Sequence, residues 1–359
     1  MPDVVVAGGG PIGLAIAWRC AQRGRTVAVV DASRGGAYEA AAGMLAPVTE
    51  ATYGEEWLLR LSLASLERYP SFVEELRAAS GVNVGLRTSG TLQVGFDVDD
   101  MRAVDDLHRF HETLGLPAER LTAGHARQRE PSLSPRIRGA VHVPSDHSVD
   151  ARALREALKT AAQRAGARVE YGVVDEVVVV SDRAVGVRLA DGTTLRGGTV
   201  VVALGAWSGS LAGLSIPVRP VKGQILRLRG ARGLLDGTVR ALVRGRSVYL
   251  VPLRTDELIV GATVEEKGFD EAVTAGAVYE LLRDAIEVVP GVGELELTES
   301  LVRFRPGTPD NAPLLGGTEL PGLVLATGHY RNGILLTPVT ADAIADLIVN
   351  GALPEVARP

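Results

Sequence analysis

Short apolar runs and stretches of helical period alternate along this chain. Residues 4–7 (VVVA) are apolar and β-branched, the pattern of a strand buried on both faces. A helical stretch follows to Gln22, Gly24 stops it, and a second apolar run at 26–30 ends on Asp31. Farther along, Leu154, Leu158 and Ala161 recur at helical spacing behind Asp150, a predicted N-cap, and the pattern stops at Gly166. Strands are expected at 168–171 and about 174–180. "RAVGVRLADGTTLRG" then predicts a hairpin turning at Asp191-Gly192. "TVVVALGAWSGSL" is another buried strand running into a turn of small residues, Gly205 among them. The last such unit is "LVLATG" followed by "GILLTPVTADAIADLIV", a strand and a helix that Gly333 and Ile334 are expected to open.

Between these units the period changes to two. "GLRTSGTLQVGF", "RGAVHVP", "VRPVKGQILRLRG", "VRALVRGRSVYLVPLRTDELIVGATV" and "LELTESLVRF" alternate apolar with polar, which predicts an antiparallel sheet with one solvated face. Helices near 98–115 and 274–288 would pad it. The order is that of a two-lobed flavoprotein, with a substrate lobe inserted twice into a cofactor lobe. Residues 1–84, 145–216 and 305–359 would form the cofactor lobe, and 85–144 and 217–304 the substrate lobe.

Composition narrows the picture. A chain of 359 residues exceeds one ordinary core. A net charge of −5 argues against a nucleic-acid binder. Cys20 is the only cysteine, which excludes a disulfide framework and a cysteine metal site, and it is expected to be buried packing in the first helix. The chain starts directly on a strand with no basic leader pattern, and Asp342 and Asp346 mark one face of the last helix. A cytoplasmic protein with no membrane span is the expectation.

The chemistry starts at the first turn. Gly8, Gly10 and Gly13 fit G-x-G-x-x-G between a strand and a helix, with an acid, Asp31, at the end of the next strand. Gly8 would permit the tight turn, Gly10 the approach of a pyrophosphate, and Gly13 close packing of helix on strand. Pro11 falls in the first helical turn, where its missing N–H costs nothing. The free N–H groups of that turn suit phosphates. Asp31 suits ribose hydroxyls and would repel the extra phosphate of NADP. The motif alone does not separate FAD from NAD. The segment "EAAAGMLAPV" is so small-sided that either a flat group approaches its backbone or a helix starts there. The turn "GHYRNG" is unusual in carrying His329, Tyr330, Arg331 and Asn332 where small residues are the rule.

Together "GGGPIG", "AAGMLAP", "PVKGQ", "VYLVP", "VGAT", "RPGTPDNAPLLG" and "GHYRNGILLTP" resemble the D-amino-acid oxidase superfamily of FAD-dependent amine oxidases, and within it the bacterial glycine oxidases of thiamine biosynthesis. The resemblance runs from residue 4 to about 349. It implies a Rossmann-like FAD-binding lobe of the GR2 type beside a substrate lobe on an antiparallel sheet. It implies noncovalent FAD, oxidation of glycine (with sarcosine and small D-amino acids) to an imine, and reduction of O2 to H2O2. It further implies a homotetramer in the cytoplasm and a thiazole-forming enzyme as partner. The substrate carboxylate would meet Arg331, Arg305 and Tyr249. Cofactor contacts would fall on Gly8, Gly10, Pro11, Ile12, Gly13, Asp31, Ala32, Ala42, Gly43, Met44, Val174 and Gly205. Further contacts would come from the turn His329, Tyr330, Arg331, Asn332, Gly333, Ile334 and Leu335.

Two positions depart from relatives that carry histidine and methionine: Ser247 and Val264, both expected to border the substrate. An oxidase for another small amine, a flavin dehydrogenase that ignores O2, and a silent flavin-binding sensor remain as alternatives. A covalent flavin tether near the C-terminal side is unavailable, because Cys20 lies in the first helix.

Hydride transfer to flavin needs no obligatory protein base if the amine is bound neutral, since the cofactor carries the hard chemistry. It needs a clamp that fixes Cα over the ring, and a planar guanidinium holding a carboxylate through two parallel hydrogen bonds is such a clamp.

Overall fold

The computed structural model describes residues 1–253 and 256–358, so Arg254 and Thr255 of the alternating run quoted above, and Pro359, lie outside it. Seven α-helices occur in it: α1 (Pro11–Gln22), α2 (Glu56–Ser80), α3 (Val98–Thr113), α4 (Ala123–Arg129), α5 (Ala151–Arg164), α6 (Ala275–Val288) and α7 (Thr337–Asn350).

The glycine motif opens a six-stranded sheet. Its order is Leu314–Gly317, Leu323–Thr327, Thr199–Val202, Val4–Ala7, Val27–Asp31 and Arg168–Tyr171. The strands are parallel except for Leu314–Gly317, which is antiparallel to its neighbour. Both faces are covered, which explains the unbroken apolar runs. Val4, Val6, Val27 and Val29 pack under α1, α5 and α7. Val5, Ala7, Val200 and Val202 pack instead against Val177, Val187 and Leu189 of a small antiparallel sheet, Val174–Val180, Arg183–Leu189 and Thr194–Arg196. Asp342 and Asp346 do not simply face solvent: they pair with Arg19 (2.9 Å) and Arg23 (3.0 Å) of α1. Cys20 is buried between these helices, and burial pushes its thiol up to about 12.

The second sheet has eight strands in the order Glu296–Gly307, Arg219–Arg229, Glu257–Gly261, Arg246–Pro252, Thr238–Val243, Thr91–Gly95, Gly139–Val143 and Glu119–Thr122. It is antiparallel with one exception: Thr91–Gly95 runs parallel to Thr238–Val243. The expected solvated face is also corrected. Leu226, Leu228, Leu250 and Val260 pack under α6, while on the reverse face Ile225, Val251 and Ile259 pack against Ala42 of the first lobe. One face is core and the other is the wall of a cleft.

Three local expectations change. The small-residue segment opens no helix; a single 3-10 turn (Ala37–Glu39) leads to the short strand Met44–Leu45, paired with His147–Ser148. The last helix starts at Thr337 and not at Gly333. Pro338 in its first turn fits that start, and residues 330–336 form a chain of turns before it. Finally, α2, 25 residues long with Pro70 inside it, occupies a stretch for which no element was predicted.

Candidate active site

One elongated cavity runs from the N-terminus of α1 to the reverse face of the eight-stranded sheet. The empty space in it, open mouth included, is about 1950 Å³, far more than a small amino acid fills.

At one end the glycine turn behaves as its spacing predicts. Gly8 has φ +122°, and a Cβ there would overlap the Ala203 carbonyl. A Cβ on Gly13 would overlap the Gly8 carbonyl, so Gly13 sets the helix-to-strand distance. Gly10, the N-cap of α1, faces open space with nothing within 4 Å of its Cβ position, and no side chain caps the helix. Uncapped N–H groups and a vacant approach are what a pyrophosphate requires. Asp31 accepts from the Ser33 N–H (3.0 Å) and pairs with Arg155 of α5, whose Nε also donates to the Gly9 carbonyl (3.2 Å). Lys159, Tyr38 and Tyr171 line the same end. These residues fit the adenosine and pyrophosphate of FAD.

The middle is walled by Ala42, Gly43 and Met44 on one side and Ile225 on the other. Gly43 has φ +78°, and a Cβ there would overlap the Val149 carbonyl. Here the small side chains bring backbone to the cavity wall. Trp207 lines the cavity too, stacked on Phe269 (5.5 Å, 16°) and capped by Arg34 (4.3 Å from its ring).

The far end gathers Tyr249, Arg305 and Arg331. Tyr249 projects from the strand Arg246–Pro252, and Gly261 on the next strand lies where a Cβ would strike its ring. Burial raises the Tyr249 phenol above its ordinary value, with Arg305 opposing, so it remains a neutral hydrogen-bond donor. Arg305 does not pair with Asp310; its Nη1 donates to the Thr263 carbonyl (3.0 Å). Arg331 is exposed to the cavity and makes no ion pair or hydrogen bond among the described residues. Its guanidinium stands 5.4 Å from the Tyr330 ring.

The turn that carries Arg331 is held from behind. Tyr69 Oη of α2 donates to the Ile334 carbonyl (2.5 Å) and Ser65 Oγ to the Leu335 carbonyl (2.6 Å). The N–H groups of Gly333 and Ile334 take no backbone partner among the described residues and lie at the cavity. His329 is buried, with Nε2 3.1 Å from Thr340 Oγ1, and burial pushes it down to about 3, so it is a neutral wall and not a base.

Of the expected contact residues, Gly8, Gly10, Pro11, Ile12, Asp31, Ala32, Ala42, Gly43, Met44, Gly205, Tyr249, Arg305, His329, Tyr330, Arg331, Gly333 and Ile334 line this cavity. Four do not. Gly13 packs beneath it, Val174 packs in the core of the small sheet, Leu335 is core, and Asn332 spends its backbone groups on the turn. Ser247 and Val264 are both exposed and are not among the residues that line the cavity. Sequence reasoning missed Glu50, Arg155, Trp207, Gly223 and Phe304, all lining residues. Glu50 carries no local signal; Gly223 sits inside the quoted "PVKGQ", where its role was open. Among the described residues no cluster suited to a metal ion occurs, and no helix is long and apolar enough to cross a membrane.

Residues 3–347 match the family described as FAD dependent oxidoreductase. The glycine oxidase of Geobacillus kaustophilus is 38% identical over 356 residues, covering 96% of this chain and 92% of that protein. The bifunctional protein ThiO/ThiG of Nostoc sp. is 38% identical over 350 residues, covering 97% of this chain but 52% of that longer protein. The crystal structure of glycine oxidase from Geobacillus kaustophilus superposes with a TM-score of 0.90 at 36% identity, over 97% of this chain and 95% of that one.

Proposed function

The chain belongs to the FAD dependent oxidoreductase family, and from that premise we propose that it is a glycine oxidase, converting glycine to its imine, and so to glyoxylate and ammonia, with formation of H2O2. The observation that carries this reading is the convergence of Arg331, Arg305 and Tyr249 on the cavity that begins at the uncapped N-terminus of α1. FAD, when bound along this cavity, would supply the hydride acceptor and the route for electrons to O2.

The protein supplies placement. Arg331, which makes no ion pair or hydrogen bond among the described residues, takes the carboxylate as a fork; Arg305, fixed by the Thr263 carbonyl, and the neutral Tyr249 phenol add donors to the same group. Held this way, Cα is fixed in position and orientation, a large rate factor in its own right. The α1 terminus would hold the pyrophosphate and Asp31 the ribose. The Gly333 and Ile334 N–H groups are available to negative charge on the reduced ring. His329 is neutral and turned to Thr340, and hydride transfer from a neutral amine needs no obligatory protein base.

Residues 1–84, 145–216 and 305–359 serve the cofactor in this reading, and 85–144 and 217–304 the substrate. FAD is held noncovalently. The ThiO/ThiG fusion supports a place beside a thiazole-forming enzyme that consumes the imine. A cytoplasmic homotetramer is part of the same proposal and rests on the resemblance to glycine oxidases alone.

The test is the visible spectrum of the purified protein, with glycine added without oxygen and air admitted afterwards. Bleaching by glycine that reverses in air with H2O2 is expected. Bleaching that persists in air makes the protein a dehydrogenase, and no bleaching moves the substrate to another amine.

A further inference from the structure

Three acids line the cavity, and two are engaged away from the carboxylate clamp. Asp31 is held by Arg155 at the dinucleotide end, and Glu39 by Arg303. The third, Glu50, lines the clamp end. Its Oε1 takes Arg240 Nη1 at 2.6 Å, and Oε2 has no bond to a described residue. The two side chains are only 12% and 16% exposed, so the pair is sequestered except where Glu50 meets the cavity. The residue is built in firmly. Asp146, fully buried, accepts from the Val48 N–H (3.2 Å), the Thr49 N–H (2.9 Å) and the Thr49 hydroxyl (2.6 Å), pinning the two residues before it.

We propose that Glu50 is the amine-recognition residue of this site: its free carboxylate oxygen receives the α-ammonium of an incoming zwitterion whose carboxylate lies on Arg331, Arg305 and Tyr249. This inference rests on the amino-acid oxidase reading and extends it.

Charge supports the assignment. Arg331, Arg305 and Arg240 against Glu50 alone leave the clamp end with two excess positive charges. One carboxylate enters favourably, but a bare ammonium beside three guanidinium groups would be repelled unless an anion faced it. Glu50 is that anion. Burial works to raise its pKa, and Arg240, Arg331 and Arg305 together overcome this and hold it below the usual carboxylate range. It therefore stays ionised and acts as a fixed partner for the cation. The clamp reads the carboxylate and Glu50 reads the nitrogen, so the site tells an amino acid from a plain carboxylic acid.

The experiment compares glycine with acetate, which keeps the carboxylate and lacks the amine. Glycine affinity is read from anaerobic flavin reduction, and acetate affinity by calorimetric titration of the flavin-loaded protein. Glu50→Gln is expected to weaken glycine at least tenfold while acetate binds as before or more tightly, because a negative charge has left the anion site. Parallel weakening of both ligands would mean that Glu50 only props the arginines, and would overturn the proposal, as would unchanged glycine affinity. Should Glu50→Gln fail to retain flavin, the double change Glu50→Gln, Arg240→Met removes both partners of the buried pair and is read the same way. Wild-type protein that glycine does not reduce at all overturns the substrate reading itself, and this inference with it.

Discussion

Gly223 and Arg305 lie on neighbouring antiparallel strands, and the Arg305 guanidinium occupies the space that a side chain on Gly223 would fill. The glycine is therefore part of the clamp although it contacts no ligand. A methyl group at Gly223 pushes the guanidinium off the Thr263 carbonyl. Gly223→Ala is expected to lose kcat/KM by roughly ten- to a hundredfold, the 1.5–3 kcal/mol scale of a charged hydrogen bond, with flavin still bound. Steady-state kinetics beside the flavin-to-protein absorbance ratio checks this; normal kinetics would show that Arg305 holds no substrate.

Arg331 makes no ion pair or hydrogen bond among the described residues, so its removal should leave the fold intact. Arg331→Ala is expected to lower kcat/KM by roughly a hundredfold or more with flavin content and melting temperature unchanged. Arg331→Lys, which keeps a charge and loses the fork, is expected to recover only part of the activity. Full activity of the lysine variant would exclude a two-point grip.

Gly10 and Gly13 are three residues apart, yet their substitution should fail differently. Gly13→Ala drives a methyl into the Gly8 carbonyl and should destabilise the lobe itself. Gly10→Ala meets no protein atom, so the fold should persist while flavin affinity falls, because the methyl stands where phosphate approaches. Thermal melting of the flavin-free proteins and flavin titration separate the two effects.

Acid should destabilise the protein through its buried imidazoles. His329 is held down to about 3 and His111 to about 4, both by burial, against about 6.5 in an unfolded chain. Between those values the unfolded state binds more protons, so stability is complete above pH 6.5 and falls as pH drops toward 4. Each histidine contributes a slope of up to about 1.4 kcal/mol per pH unit. Asp146 acts oppositely: burial raises it to about 6, so its contribution is present below about pH 4 and is lost as pH rises through 6. Melting temperatures between pH 4 and 7 should therefore rise with pH for the wild type and rise less steeply for His329→Gln. Identical slopes would show that His329 is not buried neutral.

The parallel sheet and its glycine turn were legible because local sequence dictates them: β-branched runs, a helix with proline in its first turn, and an acid at a strand end. Other features depend on distant chain. α2 escaped notice because Pro70 normally ends a helix, and this one is sustained by packing against α5 and α7. The start of α7 was placed four residues early because Tyr69 and Ser65, far away in sequence, hold the preceding turn out of helical form. The second sheet was read as half solvated since alternation marks two unlike faces without saying what covers the polar one. Glu50 could not be found locally, because its burial is decided by Arg240 and Asp146. Tyr249 and Arg305 look like ordinary strand residues, and only resemblance singled them out.

The strand order of the first sheet has a consequence for how the protein is made. Val4–Ala7 leaves the ribosome long before Thr199–Val202, one of its two neighbours, and before Leu323–Thr327, the strand beyond that. At about 5–20 residues per second, the first strand waits on the order of 10–40 s for its second partner. The turn bearing Arg331 comes later still and closes onto α2, where Tyr69 lies 265 residues before its partner Ile334. The nascent protein therefore spends most of its synthesis as an open half-sheet with bare apolar edges. Chaperone occupancy during translation should be heavy, and a ribosome stalled short of residue 323 should present a chain unable to retain flavin.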